Sequence, residues 1–254
     1  MSGGEHGEVG ITGAVAPAVI GVLGLRMPVW GGITGGNMTS LTDSPATQPV
    51  AVSTRLREAT AVAHQQAENS PFIDDLMSGR LDVAAYRRLA EQLFFVYRAL
   101  ESVGDALAED PVGGAVHDER LRRVPRLRTD LAALGSDVDA VSPLPAVAAY
   151  VEAIEATRSD AARHVAHHYT RYLGDLSGGQ VVAHRMRQHY GVEDSALSFY
   201  AFDIDKLKRY KDAYRDRLDA LPLDDAGVDR LVAEAVRAFE HNQALFADLD
   251  RTRG

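Results

Sequence analysis

The chain has 254 residues, with 27 basic and 36 acidic side chains and a formal net charge of -9. An apolar fraction of 46% and a charged fraction of 25% fit a soluble globular protein of one or two domains. The absence of cysteine excludes disulfides, zinc fingers, Fe–S clusters and thiolate catalysis, and the acidic balance argues against nucleic-acid binding.

Residues 1–50 stand apart. They hold 11 of the 22 glycines and 4 of the 10 prolines, but only four charged residues: Glu5, Glu8, Arg26 and Asp43. Neither helical nor strand periodicity survives that glycine spacing. The apolar stretch Ala14–Leu25 has 12 residues and is interrupted by Pro17, Gly21 and Gly24, too short to span a bilayer. Glu5 and Glu8 replace the basic start of a secretory signal. The segment is expected to be a disordered tail, and a start at Met38 with the tail untranslated stays open.

From Val52 onward the composition favours helix. Ser53 and Thr54 are expected to cap a helix from Leu56 to about Asn69. Ser70-Pro71 opens a short helix that Gly79 stops after Met77. Asp82 caps a long helix whose apolar positions Tyr86, Leu89, Leu93, Val96, Leu100 and Val103 recur at three and four. A helix over Asp118–Leu134 is interrupted near Pro125 and closed by Gly135. Pro145 to about Tyr190 reads as one helical stretch, and Phe199–Leu218 and Val228–Leu249 complete the set. No segment alternates as a strand, so the class is all-α, with one helical domain over 53–249.

The stretch after Pro145 poses a physical problem. About 45 helical residues would extend about 68 Å, longer than a domain whose radius of gyration is about 17 Å. It must bend or break, and Gly174-Asp175-Leu176-Ser177-Gly178-Gly179 is the expected kink. Gly174 and Gly178 form one bare ridge. The ridge suits either close helix packing or a flat ligand. Asp175, if buried there, needs Arg171 or ordered water as a partner.

Nine histidines raise the question of metal. His164 and His168 are at i, i+4 with His167 beside them, a spacing compatible with zinc. The cluster is expected to be a partly solvated helix face. No glutamate stands three residues before a histidine, which removes a helical di-iron site. His64 has Glu68 one turn on and Arg57 two turns back. A carboxylate so placed can orient an imidazole, and the arginine can reach an acidic ligand group, although lone helical histidines more often serve packing.

Two segments carry a specific resemblance. Leu56–Asn69, around His64 and Glu68, resembles the proximal helix of haem oxygenases. Tyr169-Thr-Arg-Tyr-Leu-Gly-Asp-Leu-Ser-Gly-Gly-Gln180 resembles their distal-helix signature. The segments around Tyr97, Lys211–Arg217 and Phe239–Phe246 resemble, in family order, the distal tyrosine, the propionate-binding helix and the last pocket helix. The resemblance spans 53–249, with Arg57 where many relatives carry lysine.

The resemblance implies an all-α haem oxygenase-like bundle with haem between the proximal and kinked distal helices. Haem would be both cofactor and substrate, opened by O2 to biliverdin IXα, carbon monoxide and ferrous iron. A ferredoxin- or flavin-type reductase would supply electrons. His64 would ligate the iron as a neutral imidazole, with Glu68 beside it. Asp175, Tyr97 and Arg171 would hold a distal water network, and the Gly174 and Gly178 backbone would crowd the ligand. Arg57, Tyr169, Lys211 and Arg215 would hold propionates, with Phe239 and Asn242 closing the pocket. A haem-binding or storage protein, a helical cofactor-salvage enzyme and a purely structural protein stay open as alternatives. A cytoplasmic monomer without membrane or nucleic-acid partners is expected.

Overall fold

The computed structural model describes residues 50–253, and the expectations for the tail lie outside them. No strand occurs among the described residues. The first two helices are α1 (Val52–Glu68) and α2 (Pro71–Met77). Pro71 suits the first turn of α2, where its missing N–H costs nothing. Gly79, with φ of 74°, reverses the chain after it. The long helix α3 (Val83–Ala106) is capped as expected: the Asp82 carboxylate accepts from the Ala85 N–H over 2.8 Å. Its face at Tyr86, Leu89, Leu93, Val96, Leu100 and Val103 is buried.

Several predicted caps and boundaries differ. Ala51, not Ser53 or Thr54, precedes α1. Ser53 is drawn away because its N–H and hydroxyl both donate to Asp219, over 2.7 and 2.9 Å. The predicted Asp118–Leu134 helix is a 3-10 turn at Glu119–Leu121 followed by α4 (Val124–Ala133).

The stretch after Pro145 divides into α5 (Pro145–Glu155), a 3-10 turn, and α6 (Ala161–His168) capped by Asp160. It then passes through a π turn at Tyr169–Leu173 into α7 (Gly174–Tyr190). The sharp break is therefore at Asp160. The irregular turn falls just before the glycines rather than among them. Wider π turns occur often at functional sites. Here all five π residues are buried, including Tyr169 and Arg171.

The predicted Phe199–Leu218 helix is also broken. Ser198–Tyr200 forms a 3-10 turn, and α8 begins only at Leu207 and ends at Asp219. The buried Asp130 carboxylate takes the Ser198 and Phe199 N–H groups over 2.9 and 2.7 Å. Those donors are satisfied outside any helix, so the turn need not extend. The last helix, α9 (Asp225–Arg251), has 27 residues and is capped by Asp224. It is the spine of the bundle, packing against α1, α2, α5 and α6, while α3 packs on α4 and α5.

Candidate haem site

His64 lies on α1 with its side chain 18% exposed. Its Nε2 is shielded from solvent, makes no hydrogen bond, and lies 3.5 Å from Glu68 Oε1. Burial lowers its pKa, so the ring is neutral at pH 7. Phe239 of α9 meets the ring edge-on, with centroids 5.6 Å apart. A shielded nitrogen without a hydrogen bond costs about 1–3 kcal/mol. A neutral imidazole nitrogen in that state is a suitable iron ligand, so His64 fits the haem implied by the motifs.

The other half of the site is tightly connected. Tyr97 of α3 donates its hydroxyl hydrogen to Asp175 Oδ2. Arg171 Nε donates to Tyr97 Oη over 3.1 Å, and its Nη1 donates to Asn242 Oδ1 over 2.8 Å. Arg171 Nη2 lies 3.8 Å from Asp175 Oδ1. All four side chains are buried. Asp175 thus has the Arg171 neighbour expected from sequence, but its direct partner is Tyr97. Asn242 is more than a pocket wall: it joins the network and keeps its Nδ2 without a partner.

Burial raises the Asp175 pKa, while Arg171 and the Tyr97 hydrogen bond pull it back. Burial opposes the Arg171 charge, yet Tyr97 and Asp175 outweigh it and hold the guanidinium protonated. A cavity of about 20 Å³ borders Arg171, Asp175, Phe199 and Tyr200. That is room for one water.

Gly174 and Gly178 are buried in the first turns of α7. At the adjacent Gly179, a Cβ would come 3.1 Å from the Tyr200 ring, so close packing explains this third glycine. Tyr169 is buried beside Thr60 and feels the charges of Arg215 and Arg57. Lys211 Nζ donates to Ser177 Oγ of α7 over 3.2 Å, and burial and Arg215 lower its pKa. Arg215 Nη1 donates to Asp212 over 2.9 Å. Arg57 remains exposed, 3.8 Å from Glu58.

The expected solvation of His164, His167 and His168 is wrong: all three are buried. Neighbouring helices supply polar partners to His167 and His168, while the buried His164 Nδ1 has none. His167 Nε2 lies 2.9 Å from Glu234, which also binds Arg163 and Arg237, and His168 Nδ1 lies 2.8 Å from the Tyr214 hydroxyl. Burial drives the His164 pKa down to about 4. Asp105, His117 and Glu119 come together among the described residues, but Arg122 already donates to both carboxylates.

Sequence spacing missed the supports of the distal side. Buried Arg123 donates through Nη1 to the Phe199 and Ala201 carbonyls, each over 2.8 Å. With Asp130 it fixes the segment that sets the Phe199 ring 5.3 Å from Tyr97. Both reach across about 70 residues of chain, and only an apolar-pattern violation at 123 and 130 marks them.

The heme oxygenase family model matches residues 50–248. The heme oxygenase of Guillardia theta is 35% identical over 201 residues, covering 77% of this chain and 85% of that protein. The crystal structure of heme oxygenase-1 from the cyanobacterium Synechocystis sp., in complex with heme, superposes with a TM-score of 0.76 at 35% identity, covering 80% of this chain and 93% of that one. The heme oxygenase of Leptospira interrogans gives a TM-score of 0.74 at 32% identity, covering 78% and 99%. With its helices, its His64 helix and its distal signature all in family order, the chain belongs to the haem oxygenase family.

Proposed function

We propose that the chain is a haem oxygenase, opening haem with O2 and external electrons to biliverdin IXα, carbon monoxide and ferrous iron. The observation that carries this reading is the buried Tyr97–Arg171–Asp175–Asn242 network. Binding haem requires a ligand and an apolar slot. It does not require a protonic network of four buried side chains, whose assembly costs desolvation. That observation favours the enzyme over a storage protein.

His64 holds the iron, with Glu68 beside the ring. Bound haem supplies the iron that activates O2 and the porphyrin that is oxidised. Asp175 accepts from Tyr97 and passes protons through the water that its cavity can hold. Its raised pKa brings the carboxyl nearer to the pH at which it gives and takes protons readily. Arg171 stays charged and fixes the Tyr97 and Asn242 orientations. Gly174 and Gly178 present backbone rather than side chain to the ring. Phe239 packs on the His64 ring, and Phe199 and Tyr200 shield the network from bulk water.

Arg57, Tyr169, Lys211 and Arg215 hold the propionates, each charge-assisted bond contributing about 1.5–3 kcal/mol. Lys211 and Arg215 are one turn apart and clamp one edge of the ring. A ferredoxin- or flavin-type reductase delivers the electrons, and the protein acts as a cytoplasmic monomer. Among the described residues no helix is long and apolar enough to cross a membrane. The test is aerobic: haemin is bound, then ascorbate is added. Loss of the Soret band with a green product that chromatographs as biliverdin IXα is expected. A stable Soret band would leave a haem-storage protein instead.

A further inference from the structure

The distal network does not end at Tyr97. The Tyr97 ring meets Tyr172 edge-on, with centroids 5.7 Å apart. Tyr172 meets His168 at 4.4 Å, and His168 stacks on Tyr214 at 5.7 Å with the planes 8° apart. Tyr214 and Tyr210 are one turn apart on α8, and the Arg217 guanidinium lies 5.5 and 5.6 Å from their ring centroids. Tyr210 borders a surface cleft of about 490 Å³ that Lys206, Arg209 and Arg217 also line. A file of rings therefore runs from the candidate haem site to Tyr214, and Arg217 bridges Tyr214 to Tyr210 at the surface cleft.

Three of the four phenols in the file are hydrogen-bonded to a carboxylate or a histidine. Tyr97 donates to Asp175, Tyr214 lies 2.8 Å from His168 Nδ1, and Tyr210 donates to Asp118 over 2.8 Å. The fourth, Tyr172, borders a cavity of about 20 Å³ shared with Glu101 and His168, room for one water. A phenol gives up an electron readily only when its proton can leave with it. An oxidised phenol is a strong acid, so even a carboxylate as weakly basic as Asp118, held at a pKa of about 2, takes that proton. Burial keeps His168 neutral and able to accept. Neither tyrosine nor histidine has an accessible reduced form. The file can carry oxidising equivalents outward, but not reductase electrons inward.

We infer that Tyr97, Tyr172, Tyr214 and Tyr210 form a path that drains oxidising equivalents from the haem site to the cationic cleft, where a small anionic one-electron donor restores the chain. The inference rests on the haem-binding reading above. With haem bound and hydrogen peroxide as the oxidant, Tyr97 would give up one electron toward the site and pass its proton to Asp175. Tyr172 then reduces Tyr97, which recovers its proton, while the Tyr172 proton goes to the cavity water. Tyr214 reduces Tyr172, which recovers its proton from the cavity water, and lends its own proton to His168. Tyr210 reduces Tyr214, which recovers its proton from His168, and lends its own proton to Asp118. The donor returns one electron to Tyr210, and Asp118 returns the proton. The sum is one electron moved from donor to haem, with no net proton. The donor is anionic because basic side chains outnumber acidic ones in the cleft: Asp203 and Asp205 also line it, but Asp203 pairs with Arg126, while the side chains of Lys206, Arg209 and Arg217 make no hydrogen bond or ion pair among the described residues.

The test uses haem-loaded protein mixed with hydrogen peroxide and a nitroso spin trap, with the adducts mapped by peptide mass spectrometry. Wild type should carry the adduct on Tyr210. Tyr214→Phe should keep the wild-type Soret band, lose about tenfold of the Tyr210 adduct, and gain adduct on Tyr172 or Tyr97. Equal Tyr210 labelling in Tyr214→Phe, or none in wild type, overturns the path while the Soret band upholds haem binding. No Soret band overturns both readings. Ascorbate should suppress the wild-type adduct and do so several-fold less well in Lys206→Ala plus Arg209→Ala. Equal suppression overturns the anionic donor.

Discussion

The two faces of the proposed haem site are built differently. The proximal face is one helix, α1, with a half-buried histidine, one carboxylate beside it, and Arg57 in solvent. The distal face is a π turn and the start of α7, buried from Tyr169 to Leu176 and hydrogen-bonded to α3 and α9. The proximal face needs only to offer one lone pair, and a helix that moves slightly can still offer it. The distal face must present several polar groups at fixed positions before any ligand arrives. Pre-set dipoles act without reorganisation during the reaction, and burial is what keeps them set.

Single substitutions test that asymmetry. The largest effect belongs to His64→Ala, because the proximal face has no second ligand. Haem should still bind through apolar and propionate contacts, with a changed spin state and turnover lost, and free imidazole should restore part of it. A wild-type spectrum and rate in this variant would assign ligation to another histidine. Asp175→Ala comes next. Haem affinity should hold within a few-fold, while biliverdin formation falls about a hundredfold, the usual scale for losing a positioned proton-transfer group. Peroxidase-like turnover should rise in its place. Unchanged biliverdin yield would remove Asp175 from the mechanism.

Smaller effects sharpen the comparison. Lys211→Ala plus Arg215→Ala should weaken haem binding about tenfold per cation and turn a single biliverdin isomer into a mixture. Chromatography of the esterified product reads this out, and one isomer would show that something else sets the ring's rotation. The smallest effect is on stability. The folded His164 pKa of about 4 lies below its ordinary 6.5. The unfolded chain therefore binds this proton first, and stability falls as pH drops from about 6.5 toward 4. The loss should be about 3 kcal/mol near pH 4 relative to pH 7, read from urea midpoints. His164→Leu should flatten that slope.

The sequence made the helices legible because amphipathic spacing is a local property. Asp82, Gly79 and Gly135 act on their own neighbours, and they stand where the pattern puts them. The candidate distal residues stood out because the Tyr169–Gln180 signature is long and specific, and its Arg171 and Asp175 do meet Tyr97 and Asn242 in the fold. What stayed hidden depends on partners far along the chain. Ser53 looks like a cap until Asp219 takes its donors. His167 and His168 look like part of a wet face until Glu234 and Tyr214 arrive from α9 and α8. Beyond the break they make in the apolar pattern, nothing near Arg123 and Asp130 in sequence points to Phe199.

Phe239 and Asn242 lie three residues apart on α9, one against His64 and the other bonded to Arg171. The same rigid rod thus touches both faces of the site within a single turn. A change at its far end, at Glu234 or the Asp224 cap, would slide both contacts in the same direction. Proximal and distal properties should therefore not vary independently when α9 is altered. Paired substitutions across the site should be non-additive, with a coupling of about 0.5–3 kcal/mol, and lineages that retune one face should carry a compensating change in α9.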